Sequence, residues 1–122
     1  MRKDERTQTG RRGEQIAADH LLAKGYRILE RNWRCPSGEI DIVAEDGGVL
    51  VFVEVRTRKM TGAFGTAADS VRPRKQRKVS ETAQVYMYRN KAYGRPVRFD
   101  VVAVELDARG DLLSLQHIEQ AF

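Results

Sequence analysis

The sequence predicts an α/β fold, a mixed β-sheet with helices packed against it. Helix-period segments alternate with β-branched runs, in the order helix, three strands, helix, two strands. The run Val101-Val102-Ala103-Val104 is apolar on both faces, as a central strand requires. Two further apolar runs flank Asp46-Gly47-Gly48, a strong short-range hairpin signal.

At 122 residues the chain is one domain, long enough to bury roughly two-thirds of its unfolded surface without staples. Its lone cysteine, Cys35, excludes an internal disulfide framework and fits a reducing, cytoplasmic setting. No apolar run approaches membrane-spanning length, and the N-terminus lacks the hydrophobic stretch of a signal peptide. A net charge of +5 favours a polyanionic partner, although many basic proteins bind no nucleic acid.

Residues 1–9 are mixed in charge and aperiodic, which predicts a flexible tail, with residues 10–122 forming the single domain. From Gly10 to Lys24, Ile16, Ala17, Leu21 and Leu22 recur at helical spacing, and Gly25 supplies a left-handed stop. Glu14 shares the inward stripe with Ala17, Ala18 and Leu21. On this stretch alone the preferred reading is an acid favoured by the helix N-terminal dipole with its head in solvent. Tyr26 to Trp33 is the first strand. The following Arg31-Asn32-Trp33-Arg34 either clamps a nucleic-acid backbone or is a tryptophan packed over the sheet edge between solvated arginines.

The hairpin, residues 38–57, holds charges where its pattern calls for burial: Glu39, Asp41, Glu54 and Arg56. Alternation puts Glu39 and Asp41 on one face of their strand, and Glu54 and Arg56 on one face of the next. A Gly47-Gly48 loop sets Asp41 directly opposite Glu54, whereas an Asp46-Gly47 loop makes them diagonal neighbours. Like charges so placed destabilise the ladder, and a divalent cation between them reverses that interaction.

Residues 57–72, with Arg58, Lys59 and Arg72, form an aperiodic loop beside the charged strand end, where substrate-binding loops tend to lie. Pro73 opens a helix running to about Asn90 on a stripe of Val79, Ala83, Tyr86 and Met87. Arg72, Arg74, Lys75, Arg77 and Lys78 crowd its start, Lys75 bordering the inward stripe. Such a run is usually a solvated face, but cations there oppose the helix dipole, so phosphate contact is the preferred reading. Strands at Val97–Glu105 and Leu112–Ile118 complete the chain. His20 and His117 stand at no zinc-ligand spacing from Cys35. No serine lies in a nucleophile elbow, and no glycine loop cradles a phosphate.

Gly13-Glu14, Ala17, Leu21, Gly25-Tyr26, Arg31-Asn32-Trp33-Arg34, Gly38-Glu39-Ile40-Asp41-Ile42-Val43 and Val51-Phe52-Val53-Glu54-Val55-Arg56-Thr57 together resemble the YraN family of bacterial proteins. Arg98-Phe99-Asp100-Val101-Val102-Ala103-Val104 and Ala121-Phe122 also fit, so the likeness spans nearly the whole chain. That family looks like a small member of the restriction-endonuclease-like, PD-(D/E)XK nuclease superfamily, closest in style to Holliday-junction resolvases. The resemblance implies a three-layer core around a mixed central sheet, and a catalytic set of Glu14, Asp41, Glu54 and Arg56. It implies Mg²⁺ or Mn²⁺ held by Asp41, Glu54 and the carbonyl of Val55, and a homodimer. Arg56 stands where the signature usually has lysine, and an arginine cannot serve as a general base. The reading is a metal-dependent, endonuclease-like phosphodiesterase acting on DNA, branched or junction DNA included. Arg31, Arg34, Arg58, Lys59 and the basic helix start would hold the nucleic acid. The alternative keeps the fold and drops the chemistry, leaving a nucleic-acid-binding module.

Overall fold

Helix α1 spans Lys3–Ala23 in the computed structural model, which describes residues 3–60 and 73–122, with side chains at 7–60 and 75–122. It begins earlier than the sequence pattern indicated. The stretch expected to be a tail is helical from Lys3, because polar residues of good helix propensity extend a helix without leaving an apolar stripe. Its end is as expected. Gly25 adopts φ +88°, its N–H donates to the Leu22 carbonyl at 3.0 Å, and the Tyr26 N–H reaches back to Leu21 at 3.0 Å. These two bonds satisfy carbonyls that a helix end leaves open.

Strands β1 (Arg27–Cys35), β2 (Gly38–Asp46) and β3 (Val49–Lys59) form a meander. Helix α2 (Pro73–Arg89) follows, then β4 (Val97–Leu106) and β5 (Leu112–Ile118). The five strands lie side by side in chain order. β3 and β4 run parallel and the other neighbours antiparallel, so the sheet is mixed.

Each face of the sheet builds its own core. On one, Ala17, Ala18 and Leu21 of α1 cover Ile42, Ala44, Val51, Val53, Val102 and Val104. On the other, Ala83 and Tyr86 of α2 cover Ile40, Val43, Leu50 and Phe52. Phe52 sits edge-on to Tyr86 at 5.7 Å and stacks on Phe99 at 5.6 Å. The result is the expected three-layer α/β core. Among the described residues, no helix is long and apolar enough to cross a membrane.

The site depends on how closely α1 approaches β3. A Cβ placed on Gly13 would lie 1.8 Å from Thr57 Oγ1 and 2.7 Å from Thr57 Cβ. Only glycine permits this contact, and it fixes the neighbouring Glu14 against the middle strands. Gly13→Ala is therefore expected to cost about 1–3 kcal/mol in denaturant unfolding, the range for overpacked contacts. Gly10 has nothing within 4 Å of its Cβ position, so Gly10→Ala should gain up to about 1 kcal/mol from helix propensity. Equal effects at the two positions would contradict the close contact.

Candidate functional site: an acidic row across the sheet

The turn decides the register. Gly47 and Gly48 have φ +54° and +92°, the two left-handed residues of a tight hairpin loop. Asp46 pairs with Val49 and Ile42 with Val53, so continuing the count places Asp41 opposite Glu54. On the other side Arg31 pairs with Ile42 and Trp33 with Ile40, which sets Asn32 opposite Asp41. Glu54 in turn pairs with Val101. Asn32, Asp41 and Glu54 thus form one row across three strands.

Regular pleating fails at this row. Asn32 has φ +53°, tolerable for asparagine and rare for most residues. The β2–β3 ladder ends at Ile42–Val53, and the Val55 N–H donates to Asp41 Oδ2 at 2.8 Å. Ile40 and Ile42, two residues apart, join opposite cores. The interruption lets groups from both faces meet the row.

From α1 comes Glu14, whose carboxyl is close enough to the Asn32 side chain for that amide to lower its proton affinity. From α2 comes Lys75, with Nζ 3.2 Å from Glu54 Oε1. Arg56 Nη1 lies 3.5 Å from the same oxygen. Asp41 and Glu54 are only 8% and 5% exposed. The Asp41 carboxyl is pushed up to about 8, first by burial, then by the Glu54 charge, with the Val55 N–H opposing the shift and Glu14 and Glu39 adding to it. Burial also raises Glu14, against the Asn32 amide and with the help of Glu39. A cleft of about 450 Å³ opens beside Glu14, lined by Thr7, Gly10, Arg11, Asn32, Arg34 and Glu39.

The donor set suits a hard divalent cation, since Asp41 and Glu54 are oxygen donors whose mutual repulsion a cation would relieve. Glu14, Asp41 and Glu54 do not, however, bring one oxygen each within 4.8 Å of one another. Among the described residues the trio that does is Asp100, His117 and Glu119. Those atoms are already engaged. Asp100 accepts Arg98 Nε and Nη2, both at 2.9 Å, His117 Nε2 at 2.8 Å and the Gln120 N–H at 3.1 Å. Glu119 accepts the Tyr26 hydroxyl at 2.9 Å. Arg98 also reaches Asp46 at 3.1 Å and the Tyr26 hydroxyl at 2.6 Å. Burial alone would raise Asp100, yet the His117 and Arg98 hydrogen bonds hold it below the usual carboxylate range. This network ties β4, β5 and the start of β1 together as a structural clamp.

The sequence-predicted nucleic-acid contacts are scattered. Trp33 packs on Tyr86 at 5.2 Å with Arg89 over its ring, so it is a structural tryptophan. Arg31 donates to Gln15, and Arg34 pairs with Glu39 at 2.9 Å on the cleft rim. Arg58 and Lys59 are half-buried at the end of β3, and Arg77 and Lys78 are exposed. Lys75 turns inward onto Glu54 instead of standing free for phosphate. Arg72 and the side chain of Arg74 lie outside the described residues. Asn32 is the residue that sequence reasoning missed, and its place in an Arg-Asn-Trp-Arg run gave no sign of its backbone.

Fold and site define a small three-layer α/β protein with acids buried at an interrupted hairpin row. The chain belongs to the uncharacterised protein family UPF0102, whose model matches residues 13–104. It is 48% identical to a UPF0102 protein of Moorella thermoacetica, over 96% of this chain and 97% of that one. A Symbiobacterium thermophilum member is 50% identical over 84% and 86% of the two chains. One from Stutzerimonas stutzeri is 48% identical over 93% of each.

The raised Asp41 carboxyl has a consequence for stability. Its proton is held more tightly in the folded state, so unfolding releases protons between about pH 4, the unfolded value, and about 8. Stability therefore falls as pH rises through that window. In chelator, Asp41→Asn should raise the Tm, most strongly above pH 8, and the gain should vanish near pH 4. Parallel Tm profiles for the two proteins would contradict this.

Proposed function

We propose that the chain is a metal-dependent phosphodiesterase acting on nucleic acid, with DNA, branched or junction DNA included, as its substrate. The observation that carries this reading is the burial of Asp41 and Glu54 among otherwise apolar buried residues of the hairpin. A structural role gives no reason to place two carboxylates there. Asp41 and Glu54, with the Val55 carbonyl, are the groups that would hold Mg²⁺ or Mn²⁺. Such a cation, when bound, polarises a phosphoryl oxygen and acidifies water.

The remaining roles fall to the chain's own groups. Glu14, at the open cleft with a raised proton affinity, takes a proton from the attacking water. Asn32 fixes the carboxylate that does so. Arg56 and Lys75 neutralise Glu54 in the structure and would turn from it to donate to phosphate oxygens when substrate and cation arrive. Arginine cannot give up a proton at working pH, but lysine can. Lys75 thus brings to Glu54 the amine that position 56 lacks.

A second reading has one observation in its favour: Arg56 and Lys75 balance Glu54 without a cation. On that reading the protein binds nucleic acid and cleaves nothing. The deciding experiment incubates the protein with single-stranded, duplex, flap and four-way-junction DNA, with and without Mg²⁺ or Mn²⁺. Cleavage should require the metal. Asp41→Asn should reduce it at least as much as the roughly 10–100-fold that lost supporting contacts cost metal enzymes, with DNA affinity retained. Lys75→Ala should lower the rate more than Arg56→Lys. Binding without any metal-dependent product selects the second reading.

A further inference from the structure

Helix α1 shows the acidic cleft only one of its sides. Thr7, Gly10, Arg11 and Glu14 face the cleft, while Gln8, Thr9 and Arg12 lie on the opposite side at helical spacing. There they meet Lys59 at the end of β3, Leu106 at the end of β4, and Arg109 and Gly110 of the β4–β5 turn, around a cavity of about 230 Å³. Three cationic side chains line it, and no carboxylate does. Among the described residues none of Arg12, Lys59 and Arg109 forms an ion pair. In the turn, Asp107 Oδ1 is engaged by the backbone N–H groups of Arg109 and Asp111, at 2.8 and 2.9 Å. Arg12 Nε donates to the Gly110 carbonyl at 3.2 Å, which anchors its guanidinium at the mouth.

Three like charges around one small cavity repel, and among the described residues no acid pairs with them. An anion would. The cavity is smaller than the roughly 300 Å³ at which pockets for drug-sized ligands begin, so it suits a phosphate group better than a base or a nucleoside. Two guanidiniums, an ammonium and the Thr9 hydroxyl match the donors that phosphate oxygens accept. Lys59 stands three residues beyond Arg56 on β3, roughly 10 Å along the strand. That is about three nucleotide steps of a duplex.

We infer that Arg12, Lys59 and Arg109 form a second anion site, which holds a backbone phosphate of the nucleic acid whose scissile bond lies at Glu14, Asp41 and Glu54. The inference rests on the nucleic-acid reading above. The site adds affinity and register, and takes no part in the chemistry.

The test is the salt dependence of binding to a labelled junction or duplex DNA without metal, for the wild-type protein, Arg12→Ala and Arg109→Ala. Each variant should bind more weakly and lower the slope of log K against log[salt] by about one. The Arg109 side chain makes no described contact, so that variant stays informative if Arg12→Ala disturbs the fold. An unchanged slope in Arg109→Ala, with wild-type binding intact, overturns the second site and leaves the first reading standing. No salt-sensitive binding by the wild-type protein overturns both. In a parallel arm, inorganic phosphate alone is titrated while Tm is followed. Stabilisation that Arg109→Ala abolishes, together with an unchanged DNA slope, marks a free-phosphate site and overturns the backbone assignment.

Discussion

Two carboxylates side by side in a buried hairpin must be compensated, and the rest of the structure is arranged around how that is done. In a low-dielectric setting Asp41 and Glu54 cannot both stay ionised without help. Asp41 is helped by the Val55 N–H and by keeping its proton to about pH 8. Glu54 takes Lys75 from α2 and Arg56 from its own strand. The compensations come from β3 and from α2, so the row is held by sheet and helix together. Among the described residues none of these partners meets both carboxylates at once, and a divalent cation is the group proposed to do so.

The same constraint explains the broken pleat. A regular ladder would confine Asp41 and Glu54 to the α2 side with Val43 and Phe52. Ending the ladder at Ile42–Val53, and turning Asn32 into the left-handed region, lets α1 contribute as well. Gly13 then brings α1 against Thr57, close enough for Glu14 to feel the Asn32 side chain and the Glu54 charge. Irregular backbone at a cluster of acids is where strain and function commonly coincide. Away from the row, the Asp100, Arg98 and His117 network closes the far strands with every acceptor used, which suits a clamp and not a site.

Much of this was legible in the sequence because it is local. Asp46-Gly47-Gly48 between β-branched runs announces the hairpin and gathers Asp41 with Glu54 on one face, while the choice between the two possible loops comes from the structure. The stripe of α1 put Glu14 in line with Ala17, Ala18 and Leu21, but that stretch alone favoured a solvent-facing acid at the helix start. What was hidden depends on long-range geometry or on backbone states that residue type does not announce. The helix start at Lys3 was masked because polar residues leave no periodic stripe. Lys75 borders the apolar stripe, yet nothing in a run of cations says which one bends inward to an acid. Asn32 looked like part of a basic cluster, and its role appears only when three strands are aligned. Asp100 finds His117 through strand pairing, with no spacing rule to link them.

Diffraction from a crystal soaked in Mn²⁺ near pH 8, with anomalous scattering measured, tests the central claim most directly. The account predicts one strong peak between Asp41 and Glu54, within about 2.0–2.6 Å of a carboxylate oxygen from each, with Lys75 displaced from Glu54. A row without a peak and Lys75 still paired to Glu54, or manganese found only at Asp100, His117 and Glu119, would contradict it.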